Sequence, residues 1–543
     1  MRHFKIPAVL SILLISAVLI AAVKVADPFF EIKKQLTIFS DVFKEVTTEY
    51  VDEVSPESLM KTGINAMLEK LDPYTVFIDE GQQQQMEIFS TGNYGGIGLE
   101  AGFRGSHIVV IAPMEGYPAH KAGILPGDLI LEINGLNTEG MTPEEVQELT
   151  TGDIGTEVTL KIRRPGIEEE MDYTLKRERI EVKNISFAGR FGESGEFAYI
   201  QLNRFGQNAA EEVREQLIKY DRELPMKGLI LDLRNNPGGL LNESVQIVDK
   251  FVEPGVTIVE TRGRYEPQNN VYATDETPLF QDLPLVVLIN SGSASASEIV
   301  SGAFQDLDRA VIVGEKSFGK GLVQIVKPLS YNTSLKITVS KYFIPSGRSI
   351  QAINYNGDGA EKVNSNVNQA IFKTRNGRTV YGGDGIIPDV EIVQERPSLI
   401  ETALMQKNHY FFFINDYINT HQGQEYSEKI FDEFVAYLSD QDFDYQTEAD
   451  RQIASLENNL DMFSDAEAAE KHLAELEDMI QARKRDNIFR QKGSINETLK
   501  YEWLSRTSNS SDFQKSVLEN DQAFLRAIEL LNKPDEYSGI LKP

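Results

Sequence analysis

The stretch "RAVIVGEKSFGKGLVQIV", Arg309 to Val326, holds a lysine, a serine and a glycine-rich turn that together suggest three chemistries. The strand-like start leads into Gly-x-x-x-x-Gly-Lys, close to a phosphate-binding loop. That loop needs Ser or Thr after the lysine to hold magnesium, and a helix whose N-terminus faces the phosphate. Gly321 and the β-branched "LVQIV" follow Lys320 instead. Ser317-Phe-Gly-Lys320 has the Ser-x-x-Lys spacing of β-lactamase-type acyl enzymes. Its glycines would each cost a helix about 1 kcal/mol relative to alanine. The partner motifs Ser-Asp-Asn and Lys-Thr-Gly are absent from the chain. In the third reading Lys320 serves a nucleophile elsewhere.

Such a nucleophile lies just upstream in "LINSGSASASEIVSGAFQDL". An apolar strand ends at Asn290, small residues run from Ser291 to Ser297, and helical spacing follows. A strand, a tight turn and a helix can expose a serine at a helix N-terminus. Taken alone, a Ser/Ala-rich turn more often just caps its helix. The six histidines, His3, His107, His120, His409, His421 and His472, all lie outside the segment that holds this serine run, which weakens a Ser-His-Asp reading. There is no His-Glu-x-x-His zinc helix and no cysteine, so thiolate metal sites, disulfides and a cysteine nucleophile are excluded.

The elements that must position these residues follow from periodicity. Helical spacing runs from Phe29 to about Phe89, with Ser55-Pro-Glu-Ser as a helix start, until "LDPYTVFID" breaks it. From Thr91 the texture changes to short β runs with glycine punctuation, "HIVVIAPM", "DLILEING" and "EVTLKIRR". Thr142-Pro-Glu-Glu145 supplies a capping box for one helix. From about Ile180 to Glu395, "FAYIQL", "GLILDL", "LVVLIN" and "AVIVG" read as apolar strands of a sheet covered on both faces, with helices between them. Beyond Arg396 the chain is helical.

The chain has 543 residues, 41% hydrophobic and 25% charged, enough for several domains. Its 83 acids against 54 bases give a net charge of −29, which argues against nucleic-acid binding. Arg2 and Lys5 precede 18 uncharged residues, Ile6 to Val23, an export signal at the short end of a membrane span. We expect an anchor or signal peptide over residues 1–26, with the body across the membrane.

"SASASEIVSGAFQDLDRAVIVGEKSFGKGLVQ" closely resembles the serine–lysine centre of the C-terminal (tail-specific) processing proteases, the S41 family of serine peptidases. "LDLRNNPGGLL", "ITVSKYFIPSGRSIQ" and "DGIIPDVEI" extend the resemblance. "YGGIGLE" and "AHKAGILPGDLILEINGLNTEGMTPEEV" resemble the PDZ domain that such proteases carry. The resemblance covers roughly residues 41–395 and leaves the helical tail outside. It implies a multidomain α/β protein: a helical region over residues 27–90, a PDZ module over 91–179 and a ClpP/crotonase-like catalytic core over 180–395, to which the helical spacing of the tail adds an all-α extension over 396–543. It implies Ser295 as nucleophile, Lys320 as base and Gln324 as the residue that orients the lysine. The oxyanion donors would be the N–H groups of Ala296 and of Gly238 or Gly239. The PDZ loop would bind a peptide C-terminus through Gly96, Ile97, Gly98 and Leu99, with an apolar pocket favouring apolar C-terminal residues. Arg163 or Arg164 is a candidate relay from that loop to the active site.

A lysine acts as a base only when neutral, so its pKa must fall by several units, and burial does this. Phe318, Leu322 and Val323 are the apolar neighbours expected to bury Lys320. The expected function is a serine endopeptidase cutting unfolded or processed proteins near their C-termini. Protein or peptide substrates and the membrane are its partners, with a homo-oligomer considered, and neither metal nor organic cofactor is implied. The alternative is a non-catalytic, membrane-anchored PDZ scaffold.

Overall fold

The computed structural model describes residues 28–543 except 84, 85, 87, 89, 90, 105, 106, 356–359, 363–369, 394, 395, 422 and 424. The expected anchor over residues 1–26 lies outside the described residues. No helix among the described residues is long and apolar enough to cross a membrane. The chain divides into two compact units, residues 1–77 and 78–543.

In the first unit, α1 spans Pro28–Glu49 and α2 spans Pro56–Glu69. Ser55 caps α2 by accepting from the Ser58 N–H at 3.2 Å, and Pro56 starts the helix where its missing N–H costs nothing. The helical pattern ends at Asp72, whose carboxylate accepts from the N–H groups of Tyr74 and Thr75 and from the Thr75 hydroxyl.

The second unit begins with a β-rich module, where the sequence leads us to expect a PDZ domain. Its sheet contains β1 (Leu99–Arg104), β2 (His107–Pro113), β3 (Leu129–Ile133), β4 (Glu157–Arg163) and β5 (Met171–Lys176), with β1 at one edge. α3 (Pro143–Thr150) starts with the expected capping box, in which Thr142 and Glu145 satisfy each other's backbone N–H groups. Asn93–Gly96 pairs antiparallel with Glu178–Glu181, so the two ends of the module meet.

The central α/β region is a six-stranded sheet of β6 (Ile185–Phe191), β7 (Phe197–Leu202), β8 (Gly228–Asp232), β9 (Leu285–Ile289), β10 (Val311–Gly314) and a last strand, Val390–Glu391. β6 is antiparallel to β7 and every later pairing is parallel. The strands are apolar on both faces because both are covered. On one face Ala198, Ile200, Leu229, Leu231 and Val287 pack against α4 (Ala209–Glu223), α5 (Leu241–Asp249) and α6 (Ala296–Asp306). On the other, Tyr199, Ile230, Val286 and Val311 pack against Phe524, Ala527 and Leu530 of α7 (Gln522–Leu531). The end of the helical tail therefore closes one face of this sheet. The rest of the tail has its own aromatic core, including Tyr410, Phe413, Phe431 and Phe434.

A second sheet flanks the core. β11 (Leu322–Pro328) pairs antiparallel with β12 (Ser334–Phe343), which pairs with Thr257–Gly263.

Candidate active site

Parallel strands aim their C-terminal ends, and the loops that follow, at one side of the sheet, where open α/β sheets hold their sites. The loops after β8, β9 and β10 carry the Asn-Pro-Gly-Gly turn, the serine run and Lys320.

The serines of the run separate by what their hydroxyls do. Ser293 is fully buried and donates to the Leu233 carbonyl at 2.8 Å. Ser297 is equally buried and donates to the Asn236 carbonyl at 2.9 Å. Ser295 is partly exposed and lines a cleft of about 260 Å³. It stands just before α6 with φ 55° and ψ −111°, backbone that a non-glycine residue rarely adopts and that marks a functional turn when the surroundings enforce it.

Ala296, Gly239, Lys320 and Gln324 line the same cleft. Gly238 lies behind it: at φ 102°, a Cβ there would stand 2.9 Å from the Ala296 nitrogen and 2.9 Å from the Ser295 Cβ. Its N–H donates to the Asn236 side chain at 2.9 Å, whereas no hydrogen bond engages the Gly239 N–H among the described residues. Asn236 also donates to the Leu202 carbonyl and accepts from the Ala294 N–H, tying this turn to a strand and to the serine run. The Gln324 amide donates to Thr338 Oγ1 at 3.1 Å.

Lys320 is half-buried. Leu322 and Val323 line the cleft beside it, as expected, but Phe318 is 52% exposed and does not enclose it. The Tyr342 hydroxyl donates to the Lys320 carbonyl at 2.6 Å and to the Ser295 carbonyl at 3.2 Å, bridging the two segments.

The residue that the sequence reading missed is Glu298. It is fully buried, and its carboxylate accepts from the N–H groups of Ser295 (2.9 Å), Gly319 (2.7 Å) and Lys320 (2.9 Å), and from the Ser317 hydroxyl (2.5 Å). One side chain thus fixes the backbone of both the serine and the lysine. Burial pushes its carboxyl above the usual range, while the four donors pull it back. The signal was present as Ser295-x-x-Glu298, capping-box spacing at the head of a helix.

Ser317, the nucleophile of the β-lactamase-type reading, is 4% exposed. Its hydroxyl donates to Glu298 and accepts from the Ile386 N–H at 2.7 Å, so it is a structural link rather than a nucleophile. The phosphate-loop reading also fails, because a strand follows Lys320 rather than a helix.

In the PDZ module a groove of about 250 Å³ opens between edge strand β1 and α3. Gly98, at φ 68°, and Leu99 line it, with Val146 and Gln147 opposite. Ile97 touches the groove but is 1% exposed and belongs to the module core. Gly96 pairs with Glu178. Arg164 makes two 2.7 Å bonds to Asp128, and Arg163 pairs with Glu170, so both arginines are engaged inside the module.

Residues 196–359 match the profile of peptidase family S41, and residues 109–164 match a PDZ domain. Residues 400–531 match the C-terminal helical domain of a probable PDZ-protease, which brings the tail inside the resemblance. The chain is 39% identical over 330 residues to the carboxy-terminal-processing protease of Bartonella bacilliformis, covering 60% of this chain and 74% of that one. It is 34% identical over 316 residues to a probable CtpA-like serine protease of Staphylococcus aureus, covering 58% of this chain and 62% of the relative, less than two thirds of its length. Among solved structures, the photosystem II D1 C-terminal processing protease is 25% identical, covering 69% of this chain and 97% of that one, with a TM-score of 0.36.

Proposed function

The chain belongs to the S41 family of PDZ-containing C-terminal-processing serine peptidases, and from that premise we propose that Ser295 and Lys320 form its catalytic dyad. One observation carries the reading. Ser295, in strained backbone at a helix N-terminus, shares a cleft with Lys320, and Glu298 holds the N–H groups of both.

The cycle follows from these positions. Neutral Lys320 takes the Ser295 Oγ proton as Oγ attacks the scissile carbonyl carbon. The oxyanion accepts from the N–H groups of Ala296 and Gly239, a type of contact whose loss costs about 10²–10³ in rate. The assignment of Gly239 over Gly238 rests on the Gly238 N–H being engaged by Asn236. Collapse of the intermediate breaks the C–N bond, and Lys320 returns the proton to the leaving amine. Water, deprotonated by Lys320, then releases the acyl group from Ser295. Gln324 lies beside Lys320 in the cleft and supports its orientation.

Substrate selection by the PDZ groove is part of the same reading. A peptide C-terminus adds to the open edge of β1, its carboxylate meets the backbone at Ile97–Leu99, and an apolar last residue enters the groove. The apolar run of residues 6–23 supports an exported, membrane-anchored body.

The test is cleavage of an unfolded protein with an apolar C-terminus, with fragments read by mass spectrometry. Ser295→Ala and Lys320→Ala are each expected to lower turnover by about 10⁴-fold or more. Exposed Ser291→Ala is the control. Cleavage that survives Ser295→Ala removes the assignment.

A further inference from the structure

We propose that Lys336 binds a carboxylate of the peptide substrate within about four residues of the scissile bond, and so helps select what Ser295 cuts. The inference rests on the Ser295–Lys320 reading and adds a specificity group to it.

Lys336 lies on β12 opposite Val326 of β11 and lines the cleft that holds Ser295 and Lys320. It is half-buried, and no hydrogen bond or ion pair engages its ammonium among the described residues. Three other half-buried or buried lysines have acids: Lys161 has Glu132, Lys250 has Glu276, and Lys484 has Asp444 and Asp450. Among the described residues no carboxylate lines the cleft. Burial lowers the Lys336 pKa and no acid opposes that shift. In a chain of net charge −29, Lys336 in a cleft whose described lining holds no acid therefore makes a local site for a negative group. A substrate carboxylate would supply the counter-charge that the fold withholds, through a charge-assisted hydrogen bond.

The register sets the distance. Val326 is four residues along β11 from Leu322, next to the Lys320 loop. At a rise of about 3.4 Å per residue, that separation is about 14 Å, which an extended substrate crosses in about four residues. Two substrate groups supply this chemistry, an Asp or Glu side chain near the cut and the free α-carboxylate of a short C-terminal tail. The competing explanation is that Lys336 only lays its aliphatic stem over the apolar wall.

The two explanations separate in kcat/KM for three peptides cut by the full chain. One is neutral and C-terminally amidated. One carries Glu near the cut and is amidated. One is neutral with a free carboxylate close to the cut. Lys336→Met is expected to lose about tenfold on at least one carboxylate peptide and less than about twofold on the neutral one. Lys336→Arg should restore most of the loss. Which peptide responds identifies the source of the carboxylate. The PDZ groove also favours a free carboxylate, but it is identical in both proteins and cancels in their ratio. Equal loss on all three peptides, or no loss on any, overturns the proposal. Unchanged cutting of the neutral peptide shows that the variant folds. Failure of the dyad reading would appear separately, as cleavage by Ser295→Ala.

Discussion

Two grooves carry the proposed function, and they are built in opposite ways. The PDZ groove is an open strand edge beside a helix, with Leu99 and Gln147 accessible at its lip. The catalytic cleft rests on buried polar groups: Glu298 with four donors, Asn236 with its amide and carbonyl engaged, and Ser293 and Ser297 spent on backbone carbonyls. Recognition by strand addition needs an unsatisfied edge and an apolar wall, and it tolerates small shifts. Acyl transfer needs a nucleophile, a base and oxyanion donors fixed to a fraction of an ångström, so it demands a satisfied interior network.

Substitutions sharpen that contrast. The largest effect after loss of the proposed dyad is expected from Glu298→Ala. It leaves four donors without their acceptor, at about 1–3 kcal/mol for each buried group left unsatisfied. Stability by denaturant unfolding and kcat should fall together, kcat by about 100-fold as the serine and lysine lose their common anchor. A variant of full stability and full kcat would show that the two loops hold their positions without it. Gln324→Ala should act more narrowly. Its side chain lines the cleft and donates to Thr338, so kcat should fall about tenfold with stability nearly unchanged. Unaltered kcat would remove Gln324 from the orienting role.

The smallest effect is expected in the PDZ groove. Leu99→Ala removes part of an apolar wall from a partly exposed position. It should raise KM about fivefold for substrates with apolar C-termini, with kcat unchanged. A fall in kcat with KM intact would mean that the groove governs the active site rather than merely capturing substrate.

Much of this was legible before folding. The strands of the catalytic sheet announce themselves as short apolar runs, because a sheet covered on both faces has no polar side to interrupt the pattern. Thr142 to Glu145 fixed a helix start in four residues, since a capping box is local hydrogen bonding. Ser295 and Lys320 stood out through motif and order. The role of the tail was not legible. Helical periodicity shows an apolar stripe but not its partner, and only the structure shows Phe524 and Leu530 against strands that lie more than two hundred residues earlier, such as β8 to β10.

The difference follows the range of the interactions. Sequence alone determined the element types, the net charge, the absence of a cysteine nucleophile and the family motifs, because periodicity, caps and composition are properties of neighbours along the chain. Tertiary structure decided which of four neighbouring serines faces the cleft, that Ser317 is a buried link, that Glu298 binds the serine and lysine loops together, and that among the described residues Lys336 stands without an acid. Each depends on which distant backbone N–H, carbonyl or carboxylate arrives beside a side chain, and burial then decides whether that meeting is worth a few tenths of a kcal/mol or several.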